Sequence, residues 1–482
     1  MNKKRIIGSL VALCLCMASF AQEEYYMTGL PLDDGTYDQL ERKAVYATKG
    51  ADAPLPKQHS LLEYCPIAKS QGQHGTCTSW ASVYAARTIA EAVRHGWTSR
   101  ETITEEAFSP LFVYAQTKKT DDFACSQGIH IWQALNLMKE QGCAKYRDFN
   151  VLCAEGTEVG KSLQEAASQY KIDDYLLLIK KDYDAQKKEE MVKKSLVENK
   201  PVVIAMWLPS SFSDAGRILN MNREPASFPR TNYYNHDPYH AMCVVGYDDN
   251  MAGGAFQIMN SWGNHWRNDG FVWVKYADFA RCVDQAYEVT VNPLPKPVPE
   301  PEPIALSGRF KIQLTHDAVQ KTNPNTILKV RLDDAGHYVI QKTFYESDQF
   351  RLYVSNGEEA YVYVIGSDMK RSDVLLFPNE NVSARLGNSY AIALPSETAS
   401  ITMDETKGTD YWCVLYSIEE LDIQETMRKM EAASGSFHDR VKTALGDKMV
   451  PKDDVRFVMN RIEFSARSEK TVVPVIIEAK HK

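Results

Sequence analysis

Apolar positions change their spacing along the chain, and the changes mark out its parts. Trp80, Val83, Tyr84 and Ala90 recur at helical intervals and Gly96 supplies a stop, which predicts a helix over 77–95. Trp132, Leu135 and Met138 share one face of a second predicted helix, 129–141, and a third is expected over 187–199. The pattern then tightens to short apolar runs at 202–207, 241–247, 255–259 and 271–276, which read as strands. Helices first and antiparallel strands later suit an α+β domain with a helical half and a sheet half. Alternating prolines from Pro293 to Pro303 follow, a stiff extended spacer. Beyond it, strand-like segments at 309–314, 327–332, 337–343, 349–354 and 360–365 are mostly separated by turn residues, the texture of a separate mostly-β domain. Residues 418–445 read as helical with a break near Gly435, and 456–465 and 471–479 as closing strands.

The N-terminus does not belong to this pattern. Lys3, Lys4 and Arg5 precede an apolar run from Ile6 to Met17, and Ser19-Phe20-Ala21 has small residues at the two positions a signal peptidase reads. The run is too short to span a bilayer. Export with cleavage after Ala21 is expected, to periplasm, cell surface or medium, with no transmembrane anchor. Cys14 and Cys16 each follow a leucine, where a lipoprotein signal carries a small residue. The expected organisation is a signal peptide (1–21), an N-terminal extension or short prosegment (22–54), an α+β domain (55–292), a Pro-rich linker (293–304) and a mostly-β accessory domain (305–482).

Composition adds little. A net charge of −8 over 482 residues gives no electrostatic reason for nucleic acid or an anionic membrane as partner. Ten cysteines are present, two of them in the signal. If one of the remaining eight is a free nucleophile, an odd number is left, and the sequence does not fix the pairing.

Candidate chemistry starts at Cys77, which opens the first helix. A helix N-terminus favours thiolate over thiol, and Gly72 and Gly75 let the backbone turn into it. Residues 241–247 and 255–259 flank a turn region centred near Asn250. Hairpin arithmetic puts His240 opposite Asn260, so that an imidazole and an amide meet at one sheet edge. The amide oxygen orients one ring nitrogen and leaves the other for the thiol.

Three blocks in this order resemble papain-like cysteine peptidases. Gln71-Gly72-Gln73-His74-Gly75-Thr76-Cys77 resembles the nucleophile segment. Tyr239-His240-Ala241, leading into Val244-Val245-Gly246-Tyr247, resembles the histidine segment. Asn260-Ser261-Trp262-Gly263, with Trp266 and Gly270-Phe271, resembles the asparagine segment. His240 lies 163 positions after Cys77, against ~130–150 in the family, and an insertion within 208–238 accommodates the excess. The resemblance covers about 55–290. It implies two lobes, helical and β-barrel, with a cleft between them. It also implies roles: Cys77 as nucleophile, His240 as general base, Asn260 as its orienting partner, Gln71 as oxyanion-hole donor and Trp262 as a shield over the histidine–asparagine bond. Cys125-Ser126-Gln127-Gly128 resembles the substrate wall, with Gly128 left to pair with substrate backbone. The implied reaction is peptide hydrolysis through a thioester, on protein or peptide substrates, with no metal or organic cofactor.

The chain departs from the family pattern in several places. Thr78 and Ser79 stand between the nucleophile and Trp80, where the family has tryptophan next to the cysteine. His74 occupies the position of a disulfide cysteine, which leaves Cys125 without its usual partner. No long inhibitory prodomain precedes residue 55, so activity must be controlled differently. His74-x-x-Cys77 is half of a zinc pattern, but no second compact pair accompanies it. Two other functions compete: an inactive papain fold used as a binding module, and a cysteine amidase acting on cell-wall peptides. Tyr361-Val362-Tyr363-Val364-Ile365 with Leu375-Leu376-Phe377-Pro378-Asn379 resembles accessory domains of exported bacterial proteins, with no ligand implied. Tyr411, Trp412 and Tyr416 suit core packing better than a ligand face.

Overall fold

The computed structural model describes residues 28–45, 54–151, 158–208, 212, 239–294, 304–368, 373–379, 381–388 and 391–482. The signal peptide, most of the Pro-rich linker and the expected insertion at 208–238 fall almost wholly outside these residues.

The helix expected over 77–95 is one continuous rod with an unforeseen middle. An α-helical turn, Cys77–Ser79, runs into a π-helical stretch, Trp80–Arg87, and then an α-helix, Thr88–His95. Gly96 ends it at φ 67°, the left-handed conformation that a C-terminal glycine supplies without a Cβ penalty. Every residue of the π-helical stretch is buried, so the rod is the core of its lobe. Arg87 is buried with it, paired to Glu91 at 2.8 Å and lying over the Phe108 ring. The second helix, Ile131–Glu140, starts after His130, and the third, Ala185–Val197, is capped by the Asp184 carboxylate on the Lys187 N–H.

The opposing lobe is an antiparallel sheet. Its order runs Asp174–Leu177, Val283–Thr290, Val202–Trp207, Tyr239–Asp248, Ala255–Met259, Phe271–Lys275, and Gln58–Ser60 adds to Tyr239–Asp248. Val202–Trp207 is buried throughout because it has a neighbour on each side and a covered face above and below. One continuous apolar core joins the rod to this sheet.

After residue 303 come two further sheets packed face to face. On Gly408–Ser417, Trp412, Val414 and Tyr416 enter the core between the sheets, whereas Cys413 and Leu415 enter a second core beneath the helices Ile423–Ala432 and Phe437–Leu445. Trp412 lies against Phe344 and Phe350, and Tyr416 against Phe464, so both are core residues. The helix break expected near Gly435 falls between these two helices.

Candidate active site

Cys77 sits at the N-terminus of the rod, behind Gly72 at φ 64°. Its helix is pinned across the cleft wall by the Thr78 hydroxyl, which donates to the Ile129 carbonyl at 2.9 Å. Thr78 thus does structural work where the family has tryptophan. From the sheet lobe, the Ala241 N–H hydrogen-bonds to the Cys77 sulfur, and Ala241 directly follows His240.

His240 is fully buried, and its Nε2 lies 2.7 Å from Asn260 Oδ1. The same Oδ1 accepts the Ser261 N–H at 2.7 Å, which fixes the amide so that its oxygen faces the imidazole. Nε2 is therefore the protonated nitrogen and Nδ1 the basic one. Nδ1 has no hydrogen-bond partner among the described residues. Trp262 stacks on the imidazole, centroids 4.9 Å apart, and is backed edge-on by Trp266 and Phe212.

The strand register differs from simple hairpin arithmetic. Cys243 pairs with Met259 and Val244 with Ile258, and an irregularity before Gly246 shifts the rest by one. Continued outward, this register sets Asn260 opposite Met242, two positions from His240. A two-residue offset keeps the same face of the sheet, so the side chains still meet.

Gln71 is 3% exposed and held on three sides. Its N–H donates to the Ser261 carbonyl at 2.8 Å, its Oε1 accepts from Ser261 Oγ at 2.6 Å, and its Nε2 donates to the His74 carbonyl at 2.7 Å. The Asn260–Ser261 turn thus positions both the histidine and the glutamine.

The substrate wall differs from expectation in two ways. Gly128 lies at the cleft in a left-handed conformation, φ 74°, but its N–H donates to Tyr114 Oη at 3.0 Å rather than facing a substrate backbone. Tyr114 in turn donates to Asp122. Cys125 is disulfide-bonded, although His74 stands where the usual partner would be. His74 instead hydrogen-bonds the Ala124 carbonyl at 3.3 Å, and the Gly75 N–H donates to the Cys125 carbonyl at 2.6 Å.

The cleft is not empty. The Gly29 N–H also hydrogen-bonds to the Cys77 sulfur. A Cβ on Gly29 would meet Gly75 Cα at 2.3 Å, and one on Gly128 would meet the Gly29 carbonyl oxygen at 1.7 Å. Three glycine backbones therefore stack at contact distance over the thiol. The adjoining Pro31 carbonyl takes a hydrogen bond from His130 Nδ1 at 2.9 Å. Sequence reasoning missed Gly29 and His130. Pro31 marks an extended segment, but no local pattern says what that segment packs against.

Under this cover, burial pushes the Cys77 thiol up, against the hydrogen bonds from Ala241 and Gly29. Burial also pulls His240 down to about 4, against the opposing effect of Asn260. The two burial effects act in one sense, each disfavouring the charged form of its group beneath the covering segment.

The description "Papain family cysteine protease" matches residues 63–290. That stretch is a papain-family cysteine protease domain. Among solved structures, xylellain, a cysteine protease from Xylella fastidiosa, is 20% identical, with a TM-score of 0.44, over 56% of this chain and 97% of its own. Digestive procathepsin L 3 of Tenebrio molitor larval midgut is 16% identical, TM-score 0.39, over 53% and 77%. The ragweed pollen allergen Amb a 11 in its proform is 17% identical, TM-score 0.37, over 52% and 70%. No curated protein matches the chain. The protease domain of this chain is followed by the two-sheet domain, which lies outside the matched stretch.

Proposed function

We propose that the protease domain cleaves peptide bonds through a thioester on Cys77, and that the protein is an exported bacterial enzyme. The reading rests above all on one arrangement. His240 is oriented by Asn260 beneath Trp262, and the residue after it hydrogen-bonds the sulfur of a cysteine on the opposite lobe. His240 Nδ1 takes the thiol proton and the thiolate adds to the substrate carbonyl. The oxyanion forms near the Cys77 N–H and the Gln71 amide. His240 then protonates the leaving amine, the C–N bond breaks, and the acyl group remains on sulfur. Water, deprotonated by neutral His240, adds to the thioester, and the thiol leaves with the proton returned. Export is supported by Lys3, Lys4 and Arg5 before the apolar run and by Ser19-Phe20-Ala21 after it.

The test is digestion of a denatured protein beside purified peptidoglycan, using native chain and Cys77→Ala. Cleavage of the protein by the native chain alone supports the proposal. Release of cell-wall peptides alone would make the enzyme an amidase, and no turnover of either by enzyme with an opened cleft would leave a binding module.

A further inference from the structure

The segment over the catalytic thiol does not end at the cleft. Downstream of Pro31 it forms a short helix, Asp34–Tyr37, whose Tyr37 is buried and donates to the Ile179 carbonyl at 2.7 Å. It then becomes a narrow strand between two domains. On one side the Lys43 N–H donates to the Leu177 carbonyl at 2.9 Å, at the edge of the protease sheet. On the other side the Arg42 N–H donates to Asn381, and the Arg42 carbonyl accepts from Ser383, at 2.9 and 2.8 Å. Ala44 packs into the core of the C-terminal domain.

Charged groups close the same seam, with Lys43, Lys200, Arg385 and Glu288 buried and Glu359 at its exposed rim. Lys43 bridges Glu198 and Glu288 of the protease domain at 2.7 and 2.6 Å. Lys200 joins Glu198 to Glu359 of the C-terminal domain, at 3.2 and 2.8 Å. Arg385 pairs with Glu359 at 2.8 Å and reaches back to Asp173 of the protease domain.

We infer that the C-terminal domain is the lock on the active site: by clamping residues 42–44 against the protease sheet, it keeps Gly29 on the Cys77 sulfur. Without the seam the segment keeps Tyr37 and its cleft contacts as anchors in the protease domain, and its cleft portion would exchange with substrate more readily than when both ends are gripped. Gripped at its downstream end, its cleft portion is an intramolecular ligand at high effective concentration. Loosening the domain seam must therefore raise exposure of Cys77, although no seam residue touches it. The inference rests on the proposed role of Cys77, and the test separates the two.

Alkylation by iodoacetamide, resolved by site with mass spectrometry, is measured on the full chain alongside hydrolysis of a denatured protein. Arg385→Ala and Glu359→Gln loosen the seam, and Gly29→Val ejects the segment directly because its side chain has no room against Gly75. The expected result is a rise of at least about tenfold in Cys77 alkylation in all three, with hydrolysis rising in step while Cys243 and Cys413 stay protected. Should Arg385→Ala also expose Cys413, the milder Glu359→Gln decides by the same readout. If Gly29→Val exposes Cys77 and the seam variants do not, the lock is overturned and the protease reading stands. If Gly29→Val exposes Cys77 without any hydrolysis, the protease reading falls. If no variant exposes Cys77, the segment does not guard it and the lock falls as well.

Discussion

At the residue scale, the site works by making single groups serve several partners. Asn260 Oδ1 holds the imidazole and the Ser261 N–H together, and Ser261 then holds Gln71. In enzyme with an opened cleft, His240→Ala should lower kcat/KM by about 10²–10⁴-fold and Gln71→Ala by about 10²–10³-fold, both measured on one peptide substrate. Burial of neutral His240 also has a consequence for stability. Its pKa falls from 6.5 unfolded to about 4 folded, so between these values the unfolded chain takes up the proton first. Stability contributed by the neutral form is complete above pH 6.5 and declines as pH falls through 4, by about 3 kcal/mol in all. Denaturant melts of native chain and His240→Gln across that range should diverge accordingly. Much of this site was open to reading because chemistry confines it to short blocks. Cys77, His240 and Asn260 stand out by residue type and order, and face parity survived even though the hairpin register was two positions off.

At the scale of elements, the segment 28–45 acts as one piece whose anchors are unequal. At Gly29 it is held by backbone contact alone. At Lys43 it is held by a buried ammonium: burial opposes its charge, but Glu198 and Glu288 overcome burial and raise its pKa. Lys43→Ala removes the ammonium that bridges two buried carboxylates and should destabilise the fold by about 3–5 kcal/mol, read as a lowered midpoint in denaturant. Gly128→Ala should act differently. Its Cβ collides with the Gly29 carbonyl, so the variant should expose Cys77 to alkylation, and left-handed strain at φ 74° should destabilise the fold by about 1–2 kcal/mol, a smaller drop in midpoint than Lys43→Ala gives. Periodicity revealed the rod and its stop at Gly96, but not the π-helical middle, where burial on every side leaves no amphipathic stripe. For the same reason Gly408–Ser417 escaped notice as a strand. With Trp412, Val414 and Tyr416 in one core and Cys413 and Leu415 in another, no polar position alternates.

At the scale of the molecule, the three parts named from sequence (extension, protease domain, β-domain) are coupled through one charged seam. Glu359 lies at its rim. Burial would raise its pKa, but Lys200 and Arg385 bring it down to about 2. Its contribution is present above the unfolded value of 4.5 and is lost as pH falls towards 2. Limited proteolysis should therefore begin to separate the two domains below about pH 4, and Glu359→Gln should do so at neutral pH. No local pattern announced this seam. Lys43, Lys200 and Arg385 each look like ordinary surface charges, and only the tertiary arrangement makes them partners.

The account depends most on which sulfur reacts. Gly29→Val enzyme, treated with an epoxide inhibitor of papain-like peptidases and mapped by mass spectrometry, should carry one adduct, on Cys77, and His240→Ala in that background should abolish it. An adduct on Cys65, Cys143, Cys243, Cys282 or Cys413 instead, or labelling of Cys77 at the same rate without His240, would contradict it.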